Sequence, residues 1–296
     1  MNISIIIVSF NRTTYLENTI GYCFNQDNQP LEIIVIDASE EKLRLKDDFI
    51  NSFGEKLKYV RWDEVGNISK QRNAGIKIAK GDIILFLDDD VEFEKNLLTN
   101  IVENFNFRQA DGLSGLIESA HRKTSKEVHV FKKETLLYLG QPSFHQCDFF
   151  VETYLISAAC FAVKKSALLG IGGFDEQQKG VFDDSDVGIR LTNAGYKIYH
   201  DNEIKVFHFA AKNSGSRSPM LGPVWFYSNV SYLQLKHFYK NNHDLFFKKA
   251  MGYFFRPSRM YLHPIKMIKT ISDFKKGFAI AKLRIEQGPL YIDNSN

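Results

Sequence analysis

Asp88, Asp89 and Asp90 follow one another at the end of the apolar stretch "IILFL". Adjacent like charges repel, and each loses hydration if it lies against a core. One reading is a solvated turn that also caps a helix beginning near Glu94. The other is a cation socket. Two carboxylates beside a diphosphate suit Mg2+ or Mn2+, which keep further positions for phosphate oxygens and water. Such a cation neutralises charge on a departing nucleotide. A second acidic group, Asp183, Asp184 and Asp186 in "VFDDSDVGIRL", crowds a predicted helix start, where caps and the helix dipole favour carboxylates. Asp186 and Arg190 are spaced for an i,i+4 pair. Capping does not need three acids, and one aimed into a cleft can act as general base on a hydroxyl. Arg72 and Asn73 in "KQRNAG" are either an exposed helix face or contacts for phosphate and the aspartates. His200 and His208 are ordinarily packing residues, and they ligate metal only if the fold brings them to the aspartates.

These groups need a scaffold. "SIIIVSF", "LEIIVIDAS", "KLKYVRW" and "DIILFLDDD" read as strands, the first two and the last as buried runs. "TTYLENTIGYCF", "NISKQRNAGIKIA" and "EKNLLTNIVENF" read as helices between and after them. Buried strands alternating with helices predict a mostly parallel sheet covered on both faces. Ligands then sit beyond the carboxyl ends of strands. Three of those ends are polar: Ser9 with Asn11 and Arg12, Asp37 with Ser39, and the aspartate triplet. Further on, "ACFAVKKSALLGIGGFDE" predicts a strand, a short helix and a Gly-rich turn, and "DDSDVGIRLTNAGYKIYH" a helix ending at Gly195 before a strand. The polar "HRKTSKEVHVFKKE" and the Gly/Ser/Pro-rich "FAAKNSGSRSPMLGP" read as loops, and the remainder as helices rich in Lys, Phe and Tyr.

The 296 residues are 44% hydrophobic and 25% charged, enough for a substantial core and one large domain with an appendage. No apolar run reaches the roughly 18–20 residues that span a bilayer. The opening "MNISIIIVSFNR" lacks a basic leader and a small-residue cleavage site. Cys23, Cys147 and Cys160 form neither a disulfide framework nor a zinc spacing, which points to a reducing cytoplasm. From Lys212 onward there are 14 basic and 4 acidic residues, against 24 and 31 before it. A basic tail seeks anionic lipid, phosphate or nucleic acid. No nucleic-acid-binding module accompanies it, so a nucleic-acid partner is not expected. Its aromatics and cations are accounted for either by helices packed on the domain or by contact with an anionic membrane on its inner, cytoplasmic face.

The ordered segments "SIIIVSFNR", "EIIVIDAS", "SKQRNAGIKIAKGDIILFLDDDVEF", "CFAVKKSALLGIGGFDE", "DDSDVGIRLTNAGYKI" and "VFHFAAKNSG" resemble the family 2 inverting glycosyltransferases of the GT-A fold. The resemblance covers roughly residues 1 to 211 and implies a nucleotide-sugar-binding catalytic domain there, with 212–296 as a helical extension. It implies a UDP-, GDP- or dTDP-sugar donor, a saccharide or lipid-linked saccharide acceptor, and Mn2+ or Mg2+. Ser9, Asn11 and Arg12 would line the nucleotide pocket, Asp37 would bond the base beside Ser39, and Arg72 and Asn73 would contact the donor. The triplet matches Asp-x-Asp: Asp90 would ligate the metal, Asp89 would approach the donor, and Asp88 would orient both. Asp184 falls at the catalytic base, and His208 at a metal-linked histidine. Asp183 stands where Glu is usual and is a rival base, while "DASE" departs from the common base-recognition pattern. The Gln-x-x-Arg-Trp motif of processive members is missing, so transfer of one sugar is expected. A nucleotidyltransferase and a non-catalytic sugar-nucleotide-binding protein are the alternatives.

Overall fold

A computed structural model describes residues 1–119, 127–129, 144–146, 150–153, 156–209, 222–254 and 264–292. In chain order the elements are β1 (Ile3–Ser9), α1 (Thr13–Phe24), β2 (Glu32–Asp37), α2 (Asp47–Asn51), β3 (Leu57–Arg61), α3 (Ile68–Ile78), β4 (Ile83–Asp88), β5 (Val91–Glu92), α4 (Leu97–Arg108) and β6 (Gly112–Ser119). They continue with β7 (Glu127–His129), β8 (Phe144–Gln146), β9 (Phe150–Glu152), β10 (Cys160–Lys164), α5 (Lys165–Gly170), α6 (Asp183–Asn193), β11 (Ile198–His208), α7 (Pro223–His237), α8 (His243–Phe254) and α9 (Pro264–Gln287).

The main sheet runs β3-β2-β1-β4-β10-β6-β11-β5, with β9 also on β11. β1 pairs in parallel with β2 and β4, β2 with β3, and β6 with β11, whereas β10, β5 and β9 run against their neighbours. This is the expected mostly parallel, helix-covered GT-A architecture. Every residue of β1 and β2 is buried, because both faces of the sheet are covered. Ile3, Ile5 and Ile7 share one core with Leu16 and Ile20 of α1 and Leu98 and Ile101 of α4. Ile6 and Val8 share the opposite core with Ile76 of α3, Leu168 of α5 and Val187 of α6. Each such side chain contributes about 1.5–3 kcal/mol when fully buried, so this β-branched strand tolerates polar groups at its end.

Two local expectations change. The helix after the triplet begins at Leu97 with Asn96 at its N-cap, and β5 intervenes, so the aspartates cap no helix near Glu94. Within the stretch expected to be a polar loop, β7 pairs antiparallel with β8, its Val128 being a strand-favouring residue. The rest of that stretch, Cys147 and residues 210–221 of the second predicted loop lie outside the described residues.

The C-terminal helices build a third core from Tyr232, Leu235, Phe246, Ala250, Phe274 and Ala281, with Phe247 and Phe278 packed against it. α7 and α9 approach closely at Gly277, where a Cβ would lie 2.7 Å from both the Ser228 amide nitrogen and the Val224 carbonyl oxygen. Tyr232, Phe246 and Phe274 of these helices are therefore packed inside, whereas Phe226 of α7 is exposed. Among the described residues, no helix is long and apolar enough to cross a membrane.

Candidate active site

The parallel register places Ser9 beside Asp37 and Val8 beside Asp88, so the three polar strand ends share one sheet edge. β4 stops at Asp88, and Asp89 and Asp90 form the turn into β5. β5 then pairs with the end of β11, His208 opposite Val91, while the Phe209 amide donates to the Asp90 carbonyl at 3.0 Å. That short antiparallel pairing brings a distant histidine to the aspartates. His208 Nε2 lies 2.9 Å from Asp90 Oδ1 and 3.6 Å from Asp88 Oδ2. One ligand atom from each of Asp88, Asp90 and His208 lies within 4.8 Å of the others. Two carboxylate oxygens and an imidazole nitrogen at such spacing fit one Mn2+ or Mg2+ that keeps positions for phosphate and water.

The triplet is not uniform. Asp90 is fully buried, and Arg12 Nη1 meets its Oδ2 at 3.0 Å. Asp89 is enclosed by hydrogen bonds from its neighbours. It is 3% exposed, and its oxygens accept from Ser9 Oγ at 2.7 Å and Arg12 Nη1 at 2.9 Å. Its inward position follows from the turn, whose carbonyl accepts from Thr19 Oγ1 at 3.1 Å. Burial pushes the Asp89 carboxyl up to about 6, against the opposing pull of Arg12 and Ser9. Asp88 retains side-chain exposure beside His208.

The residues of the first two strand-end loops hold one another. Asn11 adopts φ 56, a left-handed conformation open to Asn at modest cost. Its amide donates to Ser39 Oγ at 2.7 Å, and its Oδ1 accepts from the Glu40 amide at 2.9 Å. Asp37 accepts from the Ser39 amide at 2.9 Å and from the Tyr59 hydroxyl. Tyr59 is a member of this site that carried no motif signal.

Arg72 connects the two acidic clusters. It is 2% exposed, ion-paired with Asp183 through Nη1, and 3.8 Å from Asp88 Oδ1 through Nη2. Its guanidinium lies 5.4 Å from the Phe174 ring centroid. Asn73 stands apart from this set. Its Nδ2 donates to the Phe174 carbonyl and Glu176 Oε1, and its Oδ1 accepts from the Phe174 amide, at 2.9, 3.0 and 2.9 Å. That side chain pins the Gly-rich turn.

Asp183 and Asp184 open α6 directly after Phe182, which is held at φ 64, a strained conformation for a bulky residue. Asp183 is 1% exposed and tied to Arg72, whereas Asp184 is half-buried, with Oδ1 accepting from the Ser185 amide at 2.8 Å. Of the two, Asp184 is the more accessible. His200 lies away from the cluster, buried and bonded to Asn202 Oδ1 at 2.9 Å.

The Asp88–Asp90–His208 group, the Arg72 guanidinium that links it to Asp183, and the polar strand-end loops thus lie together at one sheet edge. Residues 4–169 match glycosyl transferase family 2, and the chain belongs to that family. It is 22% identical over 220 residues to the glucosyl-dolichyl phosphate glucuronosyltransferase of Haloferax volcanii, covering 70% of this chain and 69% of that protein. It is 27% identical over 180 residues to the GalNAc(5)-diNAcBac-PP-undecaprenol beta-1,3-glucosyltransferase of Campylobacter jejuni, covering 60% of this chain and 56% of that one. In fold it is similar to the mannosyltransferase PcManGT of Pyrobaculum calidifontis, solved with GDP-Man and Mn2+. That likeness has a TM-score of 0.56 at 12% identity over 95% of this chain and 84% of the other.

Proposed function

We propose that this glycosyltransferase moves one sugar, with inversion, from a UDP-, GDP- or dTDP-sugar to a hydroxyl of a saccharide or lipid-linked saccharide. Surface polysaccharide or glycan synthesis is the setting. The observation that carries the reading is Arg72, whose guanidinium reaches both Asp88 and Asp183 and so joins the cation site to the turn bearing Asp184. Lipid-linked glycan names among the relatives support this acceptor class. In this scheme Asp184 removes the proton of the acceptor hydroxyl. The acceptor oxygen bonds to the anomeric carbon from the face opposite the nucleotide. The bond from that carbon to the diphosphate oxygen breaks, and the electron pair leaves with the nucleoside diphosphate through an oxocarbenium-like transition state. Asp88, Asp90 and His208 would hold Mn2+ or Mg2+, which when bound supplies positive charge to the diphosphate. Ser9, Asn11, Arg12, Asp37 and Ser39 shape the nucleotide pocket. Arg12 and Asp89 brace the metal-binding turn. Residues 1–211 form the catalytic part in this reading and 212–296 its extension.

A nucleotidyltransferase would leave Asp183 and Asp184 without a task, and a pure binding protein would not need a base. The test is thermal unfolding with UDP-, GDP- and dTDP-sugars, with and without Mn2+. A ligand at a hundred times its Kd adds about 2.7 kcal/mol of apparent stability, so one donor is expected to raise Tm by several degrees, chiefly with Mn2+. No shift with any nucleotide in any metal condition would overturn the reading.

The outer face of α9 favours a membrane-surface location. Lys269, Lys275, Lys276 and Lys282 are exposed there, with Ile268 66% and Leu283 58% exposed near its two ends. The free thiols of Cys23 and Cys160 agree with a cytoplasmic leaflet. Each cation near an anionic surface contributes about 1 kcal/mol. Reversing Lys275, Lys276 and Lys282 to Glu is expected to lower binding to phosphatidylglycerol-containing vesicles by at least a hundredfold. Equal wild-type binding to neutral and anionic vesicles, or none to either, counts against it.

A further inference from the structure

The catalytic scheme leaves a buried charge network on the far side of α6 without a task. Asp186 is fully buried, one residue beyond Ser185 in the turn that carries Asp184. Its Oδ2 accepts from Arg190 Nε at 2.7 Å, and its Oδ1 meets Lys236 Nζ at 2.6 Å and His237 Nε2 at 2.7 Å. Lys236 also reaches Asp175 Oδ2 at 2.6 Å, where the Tyr232 hydroxyl donates at 2.7 Å. Burial alone would push the Asp186 carboxyl up, but Arg190, Lys236 and His237 outweigh it and hold it well below the usual range.

The chain's last described residues join the same network. The Leu290 amide donates to Asp175 Oδ1 at 3.0 Å, the Glu176 amide to the Leu290 carbonyl at 2.8 Å, and the Ile292 amide to the Gly172 carbonyl at 2.8 Å. The Tyr291 ring receives Arg190 at 4.8 Å and Lys236 at 5.2 Å. Gly172 and Gly173 sit at φ +77 and +71, and a Cβ on either would come within 2.9 Å of Tyr291 or Ile292. The Gly-rich turn therefore has no side chains where this strap crosses it.

Buried ion pairs are weak contributors to net stability, since well-packed apolar groups of the same volume often serve as well. What a saturated charged network does supply is a defined arrangement of the segments it joins. Here it joins α7 and the 290–292 strap to the first turn of α6. Arg72 grips Asp183 from the donor side of that same turn.

We infer that Lys236 is a positioning residue for transfer: through Asp186 it fixes the α6 turn that aims Asp184, making the C-terminal region part of the catalytic apparatus. This inference rests on the proposed role of Asp184. A displacement of about 1 Å in a reacting group costs on the order of a hundredfold in rate. Donor contacts at the opposite side of the turn need not change.

The experiment uses the full chain with Mn2+. It follows release of nucleoside diphosphate from UDP-glucose, UDP-GlcNAc, GDP-mannose and dTDP-glucose with water as acceptor. Lys236→Met is compared with Lys236→Met/Asp175→Asn, which removes one charge of each sign and guards against loss of the fold. Rates are normalised to the fraction that binds UDP, GDP or dTDP. The expected result for the folded variant is a fall in kcat of about a hundredfold, with KM for the donor within twofold of wild type. In an Asp184→Asn background the same substitution should cost less than a further twofold, because its effect passes through Asp184. A rate within twofold of wild type, or a full additional hundredfold loss in the Asp184→Asn background, would overturn the positioning role. Full activity of Asp184→Asn alone would instead overturn the assignment of the base.

Discussion

Asp184→Asn is expected to lower sugar transfer by about a hundredfold to ten-thousandfold, the range of a positioned general base, while leaving nucleotide affinity within twofold. The amide is nearly isosteric and can still accept from the Ser185 amide, so the first turn of α6 should persist. What it cannot do is take the acceptor proton. Asp183→Asn should behave differently. Asp183 is buried and paired with Arg72, and its loss would free Arg72 beside Asp88. Donor affinity is therefore expected to change along with the rate. Steady-state kinetics with separate determination of donor affinity by calorimetry distinguishes the two. An Asp184→Asn enzyme with wild-type turnover would exclude it as the base.

Asp90→Asn is expected to abolish the gain in donor affinity that Mn2+ brings and to lower turnover by about a hundredfold to a thousandfold. The cation's stabilisation of a leaving diphosphate is worth several kcal/mol, and each 1.36 kcal/mol is a factor of ten. Arg12 would keep its bond to Asp89, so the turn should hold its shape. The metal-free site also sets a pH dependence. Burial would make the His208 ring lose its proton more easily, but the bond to Asp90 and the charges of Asp88 and Asp90 outweigh it, so the proton is held above the ordinary imidazole range. A protonated ring cannot ligate a metal. Mn2+ affinity should therefore rise as pH increases through the raised pKa and level off above it. Calorimetric titration with Mn2+ across that window reads the effect, and unchanged Mn2+ affinity in Asp90→Asn would remove Asp90 from the ligand set.

Much of the scaffold was legible because its signals are local. The run "SIIIVSF" is apolar on both faces because both faces of β1 are covered. The helix predicted from "TTYLENTIGYCF" spans α1, Thr13–Phe24. The helix from "DDSDVGIRLTNAGYKIYH" ends before Gly195, which adopts φ +89. Less legible were elements held by their neighbours. β5 is two residues long, has no periodicity to read, and exists because the end of β11 pairs with it. The basic, aromatic C-terminal pattern fitted both packing and a membrane surface. Phe246 and Phe274 are buried in packing, whereas Phe226 of α7 and Lys275 and Lys276 of α9 are exposed.

By itself, the sequence determined that apolar strands would carry Ser9, Asp37 and Asp88 to one edge, since strand period and hydrophobic burial are properties of short segments. Only the tertiary structure decided which acid meets which partner. Asp89 turns inward to Ser9 and Arg12, Asp88 and Asp90 meet His208, Asp183 is held by Arg72, and Asp186 is gripped by Lys236 from another helix. The physical reason is that carboxylates adjacent in sequence are chemically alike. Their surroundings differ through desolvation and through cations delivered by strand register and helix packing, which no local pattern encodes.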